Sequence, residues 1–314
     1  MTVSRVLNYD SSLSVGEETK KKIFEVAEEL EYKSKKRSAK KAAGKLAIVN
    51  WYSEAEELQD VYYMSIRLGA QKRAKALGYS YKRVYKQDDF IDESDLSGIL
   101  AIGKFSEEQV KQLKGHGVPL CFVDYLPEED VDSVVVDFKT AMRRNVDYLL
   151  EKGHTKIGFI GGRESFSDGT GHWIDPREKI VREYLKRRKL YHEKYFFTGA
   201  FRVEDGKRNM LKALETIRKA ELPTAFIAAN DAIAIGCLKA LYEKNVKVPE
   251  DVSIIGFNDI STAKYITPSL TTVKVYTEEM GISGINLLQE QIDEEREVTK
   301  KVIMSTKLVE REST

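Results

Sequence analysis

Residues 224–244 read TAFIAANDAIAIGCLKALYEK. The run up to Ala229 is apolar without alternation, the pattern of a strand covered on both faces. From Asp231 to Lys244, Ile235, Leu238 and Leu241 fall on one side of a helix. Asn230 and Asp231 stand at the joint. A buried strand running straight into a helix is one unit of an alternating α/β fold with parallel sheets.

The same texture extends outward. LAIVNWY from Leu46, SGILAIG from Ser97, PLCFVDY from Pro119, SVVVD from Ser133, KIGFIGG from Lys156 and VSIIGFND from Val252 are further short apolar runs. Helical patterns lie between several of them. Tyr62–Leu77 sets Ile66, Ala70, Ala74 and Leu77 together and ends at Gly78, and Phe138–Glu151 ends before Gly153. Seven such strands in a chain of 314 residues predict two doubly wound parallel-sheet lobes over residues 46–314. Ligands in such sheets bind beyond the C-terminal strand ends, and two lobes can turn those ends toward one cleft. No fixed-period repeat interrupts this pattern.

The net charge of +1 hides an asymmetry. Lys33–Lys45 carries 7 basic residues and no acidic one, an excess that suits a polyanion. Before it, Val3, Val6 and Leu7 mark a short helix that Asn8–Ser12 breaks. Ser14-Val15-Gly16-Glu17 then forms a capping box for a second helix with Ile23, Val26, Ala27 and Leu30 on its stripe. Two helices this short over residues 1–32 bury too little surface to stand alone, and residues 33–45 read as a basic linker.

Enzyme signatures are missing. His116, His154, His172 and His192 are scattered, and no nucleophile elbow, phosphate loop or dinucleotide fingerprint occurs. Cys121 and Cys237 sit inside apolar runs and read as buried thiols, with neither disulfide nor metal spacing. No catalytic, cofactor or metal site is therefore expected. No apolar run reaches the roughly 18 residues of a membrane span, and the N-terminus has no signal pattern, so a soluble cytoplasmic protein without a membrane partner is expected.

The strand ends hold the informative polar residues. Asp124, Asn230 and Asn258 lie where a doubly wound sheet presents its ligand, while Asp231 is expected to cap the helix that follows it. Carboxylates, amides and an arginine beside aromatic walls are the chemistry a sugar requires. Arg177, Tyr62, Tyr63, Trp173 and Phe201 are candidates for the remainder.

TVSRVLN from Thr2, SVGEETKKKI from Ser14 and AEELEY from Ala27 resemble the end of the DNA-binding headpiece of the lactose/galactose repressor family. The resemblance continues through AGKLAIV, YYMSIRLGAQ, GHTKIGFIGG, ANDAIAIG, VPEDVSIIGFNDI and TPSLTTVKV, and covers essentially the whole chain. Within the family it is strongest to the evolved β-galactosidase repressors and the galactose-operon repressors of Gram-positive bacteria. It implies a helix-turn-helix headpiece ahead of a periplasmic-binding-protein-like body, operator DNA and a sugar effector as partners, and a homodimer. Thr2, Ser4, Arg5 and Asn8 match positions that face DNA. Arg37–Gly44 matches the hinge that enters the minor groove, with Arg37, Ser38 and Lys40 as candidate contacts. Relatives wedge a leucine there, but no leucine occurs in that stretch, and Ser38 at the wedge position is too small and polar for the task.

Asp124, Arg177, Asn230 and Asn258 match effector-binding positions, and Phe201 matches the ring that covers the sugar. Many relatives carry Asp where this chain has Asn258, and an amide donates as well as accepts. The match begins inside the recognition helix, so Met1 is read as an internal start and weak, salt-sensitive DNA binding through Lys33–Lys45 is expected. The absence of C-terminal leucine heptads favours a dimer over a tetramer. Rival readings are a sugar-binding transport protein of the same fold, and a catabolite regulator with a phosphoprotein corepressor.

Overall fold

Apolar runs become strands and the amphipathic runs after them become the helices that cover them. The computed structural model describes residues 44–314 except 58–60, 87, 89–94, 129 and 295, together with Thr19, Lys22 and Val26. In chain order it shows β1 (Lys45–Asn50), α1 (Glu54–Glu57), α2 (Val61–Leu77), β2 (Ser80–Val84), β3 (Leu96–Ile102), α3 (Glu107–Gly115), β4 (Leu120–Val123) and β5 (Asp132–Val136). Next come α4 (Phe138–Glu151), β6 (Ile157–Gly162), the short β7 (Glu164–Ser165) and β8 (His172–Trp173), α5 (Pro176–Arg187), β9 (Phe196–Gly199) and α6 (Val203–Thr216). β10 (Ala225–Ala228), α7 (Asp231–Glu243), β11 (Ser253–Ile255), β12 (Thr272–Lys274), α8 (Thr277–Glu294), β13 (Lys301–Met304) and β14 (Lys307–Val309) complete it.

Two parallel sheets result. One has six strands in the order β13-β5-β4-β3-β1-β2, the other four in the order β11-β10-β6-β9. In each, the first strand lies between the second and the third, so winding reverses at β1/β3 and at β6/β10. These are the switch points at which α/β sheets open a crevice. The doubly wound expectation holds for both sheets. β1, β4 and β10 are buried almost throughout, which explains their unbroken apolar sequences. β2, SYKRV, is an edge strand with most of its side chains in water, and its polar sequence concealed it. β4 stops at Val123 because Asp124 turns to a positive φ of 65°. Cys121 and Cys237 are buried free thiols.

The covering helices are joined at glycines. A Cβ on Gly281 of α8 would lie 2.0 Å from the Ile66 carbonyl oxygen of α2, and one on Gly69 of α2 would lie 2.2 Å from that of Glu278. The second sheet repeats the device: Gly236 of α7 faces the Val203 carbonyl of α6, and Gly206 faces that of Ile233. Each helix pair thus meets backbone to backbone on reciprocal glycines.

One expectation is corrected. Asp231 does not cap α7; Asn230 does, its side chain accepting from the Ile233 amide at 2.9 Å. Asp231 is the first helical residue, fully buried, and accepts from the Ile260 amide at 2.8 Å and the Thr272 hydroxyl at 2.5 Å. It fastens α7 to the loop before β12. Burial pushes its carboxyl up to about 7, and neighbouring Asp259 adds to the rise.

The chain divides into residues 1–43 and 44–314. Thr19, Lys22 and Val26 are helical. The first short helix, the capping box, residues 33–43 of the basic linker and all the candidate DNA contacts lie outside the described residues, and Lys45, read as the linker's last residue, is the first of β1.

Two outcomes follow from these contacts. Gly281→Ala is expected to cost about 1–3 kcal/mol in urea unfolding by overpacking. Gly115→Ala, with no atom within 4 Å of its added carbon, is expected to be neutral or better. Asp231 holds its proton more tightly when folded, so its stabilising contribution is present below its unfolded pKa and lost as pH rises through about 7. Asp231→Asn should remove part of the fall in melting temperature between about pH 4 and pH 7, measured at constant ionic strength.

Candidate functional site

The C-terminal ends of both sheets converge on one pocket. Lys104 follows β3, Asp124 follows β4, and Phe138 opens α4 just past β5. From the other sheet, Glu164 follows β6, Asn230 follows β10 and Asn258 lies beyond β11. Tyr62 and Tyr63 reach in from the first turn of α2, Trp173 from β8, Arg177 from α5 and Phe201 from the loop after β9. All eight residues singled out from the sequence line this one pocket. Lys104, Phe138 and Glu164 were not singled out.

Asp124 is the most heavily engaged of them. Its Oδ1 accepts from the Tyr62 hydroxyl at 3.0 Å, and its Oδ2 accepts from the Tyr63 hydroxyl at 3.1 Å and Lys104 Nζ at 2.5 Å. Lys104 also donates to the Asp124 carbonyl and stands over the Trp173 ring, 4.3 Å from its centroid. Lys104 is 2 % exposed, so its charge depends on this carboxylate. The left-handed turn at Asp124 allows one residue to offer both its carbonyl and its carboxylate to the same ammonium.

Arg177 sits opposite. Asp175 caps α5, and Pro176 begins the helix with a φ already suited to it. This brings Arg177 back over its own cap. Its Nε lies 2.9 Å from both Asp175 oxygens, and its Nη1 donates to the Ala229 carbonyl at 2.6 Å. The rings of Phe138, Phe201 and Phe257 surround the guanidinium at 5.0, 5.0 and 5.5 Å. Burial works against its charge, but Asp175 and Glu164 outweigh it and raise the pKa.

Glu164 is half-buried as a residue, yet its carboxyl is enclosed by protein. Burial pushes it up to about 7 against the pull of Lys104 and Arg177, and Asp124 and Asp175 add to the rise. Asn258 has a φ of 116°, a left-handed geometry that its neighbours stabilise: its amide donates to the Val273 carbonyl at 2.8 Å. The hairpin of β7 and β8 brings Glu164 and Trp173 to the pocket and bridges the sheets at its tip. There Ser106 donates to Asp168, and Gln109 Nε2 donates to Ser167 Oγ at 2.6 Å.

With these side chains paired, the pocket has a volume of about 20 Å³, room for about one water molecule. A larger ligand requires this pocket to open. Among the described residues no cluster of His, Cys, Asp and Glu has a metal-binding arrangement. No helix among them is long and apolar enough to cross a membrane.

Comparison with known proteins agrees with this architecture. Residues 1–35 match the model of bacterial regulatory proteins of the lacI family, and residues 146–314 match the periplasmic binding protein-like domain. The HTH-type transcriptional regulator GanR of Bacillus subtilis (strain 168) is 39% identical over 99% of this chain and 94% of its own length. The HTH-type transcriptional regulator GalR of Streptococcus thermophilus is 38% identical over 100% of this chain and 95% of its own. A transcriptional regulator CelR–cellobiose complex superposes with a TM-score of 0.73 at 24% identity, covering 99% of this chain and 94% of that one, which shows the shared fold. With this identity along nearly its whole length, the chain belongs to the lacI family of bacterial regulatory proteins.

Proposed function

We propose that this regulator is a sugar-responsive repressor. Its effector is galactose or a galactoside, held in the pocket between the two sheets, and effector binding releases the protein from operator DNA. The observation that carries this reading is the pairing of Asp124 with Tyr62, Tyr63 and Lys104, opposite Arg177 beneath Phe201. It supplies acceptors and donors for adjacent hydroxyls and a ring for the apolar face of a pyranose.

Charge narrows the class. The cations Lys104 and Arg177 are paired with Asp124 and Asp175, and Glu164, pushed up to about 7, stands beside them as a third carboxyl. A neutral sugar leaves that balance intact, whereas a phosphate or carboxylate would be buried beside three carboxyl groups. Thr2, Ser4, Arg5 and Asn8 are the proposed operator contacts, with Arg37, Ser38 and Lys40 in the hinge and a homodimer as the binding unit. The effector must favour the state that releases DNA, and operator binding then weakens the effector by the same factor.

A thermal-shift series tests the reading. Galactose or a galactoside at about 100 times its dissociation constant adds roughly 2.7 kcal/mol, several degrees for a protein of this size. Galactose phosphate should give no shift. Phe201→Ala should weaken the active sugar on the order of tenfold through loss of its covering ring. A shift with phosphorylated sugars alone would replace the neutral galactoside with a sugar phosphate, and no shift with any sugar would leave the phosphoprotein corepressor or a non-sugar effector as the reading to pursue.

A further inference from the structure

The residues beside Asn258 are held more firmly than its own side chain. That side-chain amide lines the pocket and has no hydrogen-bond partner among the described residues. The backbone under it is unusual. Its φ of 116° lies beyond the left-handed well of about +50 to +70°, and Asp259 follows at 57°. Two consecutive non-glycine residues with positive φ persist only where surrounding contacts over-determine them.

Those contacts come from three directions. The Asn258 amide donates to the Val273 carbonyl at 2.8 Å and the Val275 amide donates to the Asn258 carbonyl at 3.4 Å, which ties the turn to β12. Asp231 accepts from the Ile260 amide on the far side of the turn. Asp259 takes Arg311, whose Nη2 donates to its Oδ1 at 2.6 Å, with both side chains largely shielded from water. The other arm of the guanidinium, Nη1, donates to the Leu270 carbonyl at 2.8 Å. One planar fork thus joins the loop after β11 to the chain entering β12.

Arg311 stands on a firm base. It follows β14, and its amide donates to Thr271 Oγ1 at 2.9 Å. Two residues on, Ser313 is fully buried beside β11. Its carbonyl accepts from the Ile254 amide at 2.8 Å and its hydroxyl donates to the Ile254 carbonyl at 2.6 Å. A guanidinium on a segment pinned in this way sets the place of the carboxylate it holds. Neither Arg311 nor Asp259 lines the inner pocket, so the pair reaches a ligand there through Asn258.

We infer that Arg311 is a positioning residue for the effector: through Asp259 it holds the turn at Asn258 and Asp259 in the left-handed form that presents the Asn258 amide to the ligand. This rests on the galactoside reading of the inner pocket. An amide both donates and accepts, so where the turn places it decides which hydroxyls it meets. A turn released from Arg311 relaxes toward negative φ and carries the amide away.

Isothermal titration of the full chain, with galactose, methyl β-galactoside and lactose as probes, tests it by a double-mutant cycle. Arg311→Met keeps the length of the side chain and removes both donors. It is expected to weaken the tightest-binding probe about tenfold, but less than about twofold once Asn258→Ala has removed the amide. Asp259→Gly supplies the turn without the ion pair, since glycine adopts positive φ at no steric cost. Added to Arg311→Met, it should recover most of the affinity. A general loss of packing would be neither suppressed by Asn258→Ala nor repaired by Asp259→Gly. Asp259→Asn approaches the pair from the other side. It keeps the shape of the side chain, drops its charge and should weaken binding about threefold, which decides the matter if Arg311→Met does not fold. Unchanged affinity in Arg311→Met and Asp259→Asn would overturn the inference. So would an equal loss from Arg311→Met with and without Asn258→Ala. No binding of any probe by the unaltered chain would overturn the galactoside reading and the inference with it.

Discussion

A guanidinium buried among three phenylalanine rings requires a carboxylate against it, and the site is arranged around that requirement. Arg177 meets it with Asp175, the cap of its own helix, and spends a further donor on the Ala229 carbonyl at the end of β10. The start of α5 is thereby tied to the neighbouring strand. Lys104 repeats the arrangement on the other sheet, where the ammonium binds both the carbonyl and the carboxylate of Asp124. Parallel sheets make this possible because their strands all end on one side. Each sheet can collect polar groups there while its apolar interior stays unbroken.

These pairings also determine how a ligand must act. Every hydroxyl that reaches Asp124 exchanges with a tyrosine, a lysine or both, so the net gain per hydrogen bond is modest. Affinity then depends on ring burial and on charge-assisted contacts. A side chain that lets go of Asp124 is free to take a new position on the first sheet's side of the pocket. Tyr62 and Tyr63 begin α2, and α2 is joined to α8 at closely packed glycines. Closely packed pairs of this kind move as units, because a contact between two backbones leaves little slack. The ligand's preference for one arrangement of the sheets is therefore felt well beyond the pocket, which is what a regulator requires.

How much of this was legible in the sequence depended on how each residue stood out. Asp124, Asn230 and Asn258 each interrupt an apolar run, and a strand end is where polarity has meaning. Lys104 follows ILAIG in the same way and carries the same strand-end signal. Phe138 opens a helix and reads as core. Glu164 follows a glycine pair in a charged stretch, and only the folding of the β7–β8 hairpin encloses its carboxyl. β2 is an edge strand with the composition of a loop, while β9 and β12–β14 are too short to show a period. The helix-joining glycines carry no periodicity at all, since their signal lies in what is absent on the partner helix. Asp231 was misread because a carboxylate before a helix usually caps it, and here the preceding amide does so.

An enclosed acid near pH 7 beside another carboxylate is also what glycoside hydrolysis uses, so the pocket invites an enzymatic reading. Hydrolysis asks the second carboxylate to attack the sugar or to activate a water. Both oxygens of Asp124 are committed, one to Tyr62 and the other to Tyr63 and Lys104, and its charge is neutralised by that ammonium. A carboxylate so engaged has both oxygens held by side chains of the protein itself. Glu164, with two cations and two other carboxyls nearby, is pushed up to about 7 chiefly by its burial.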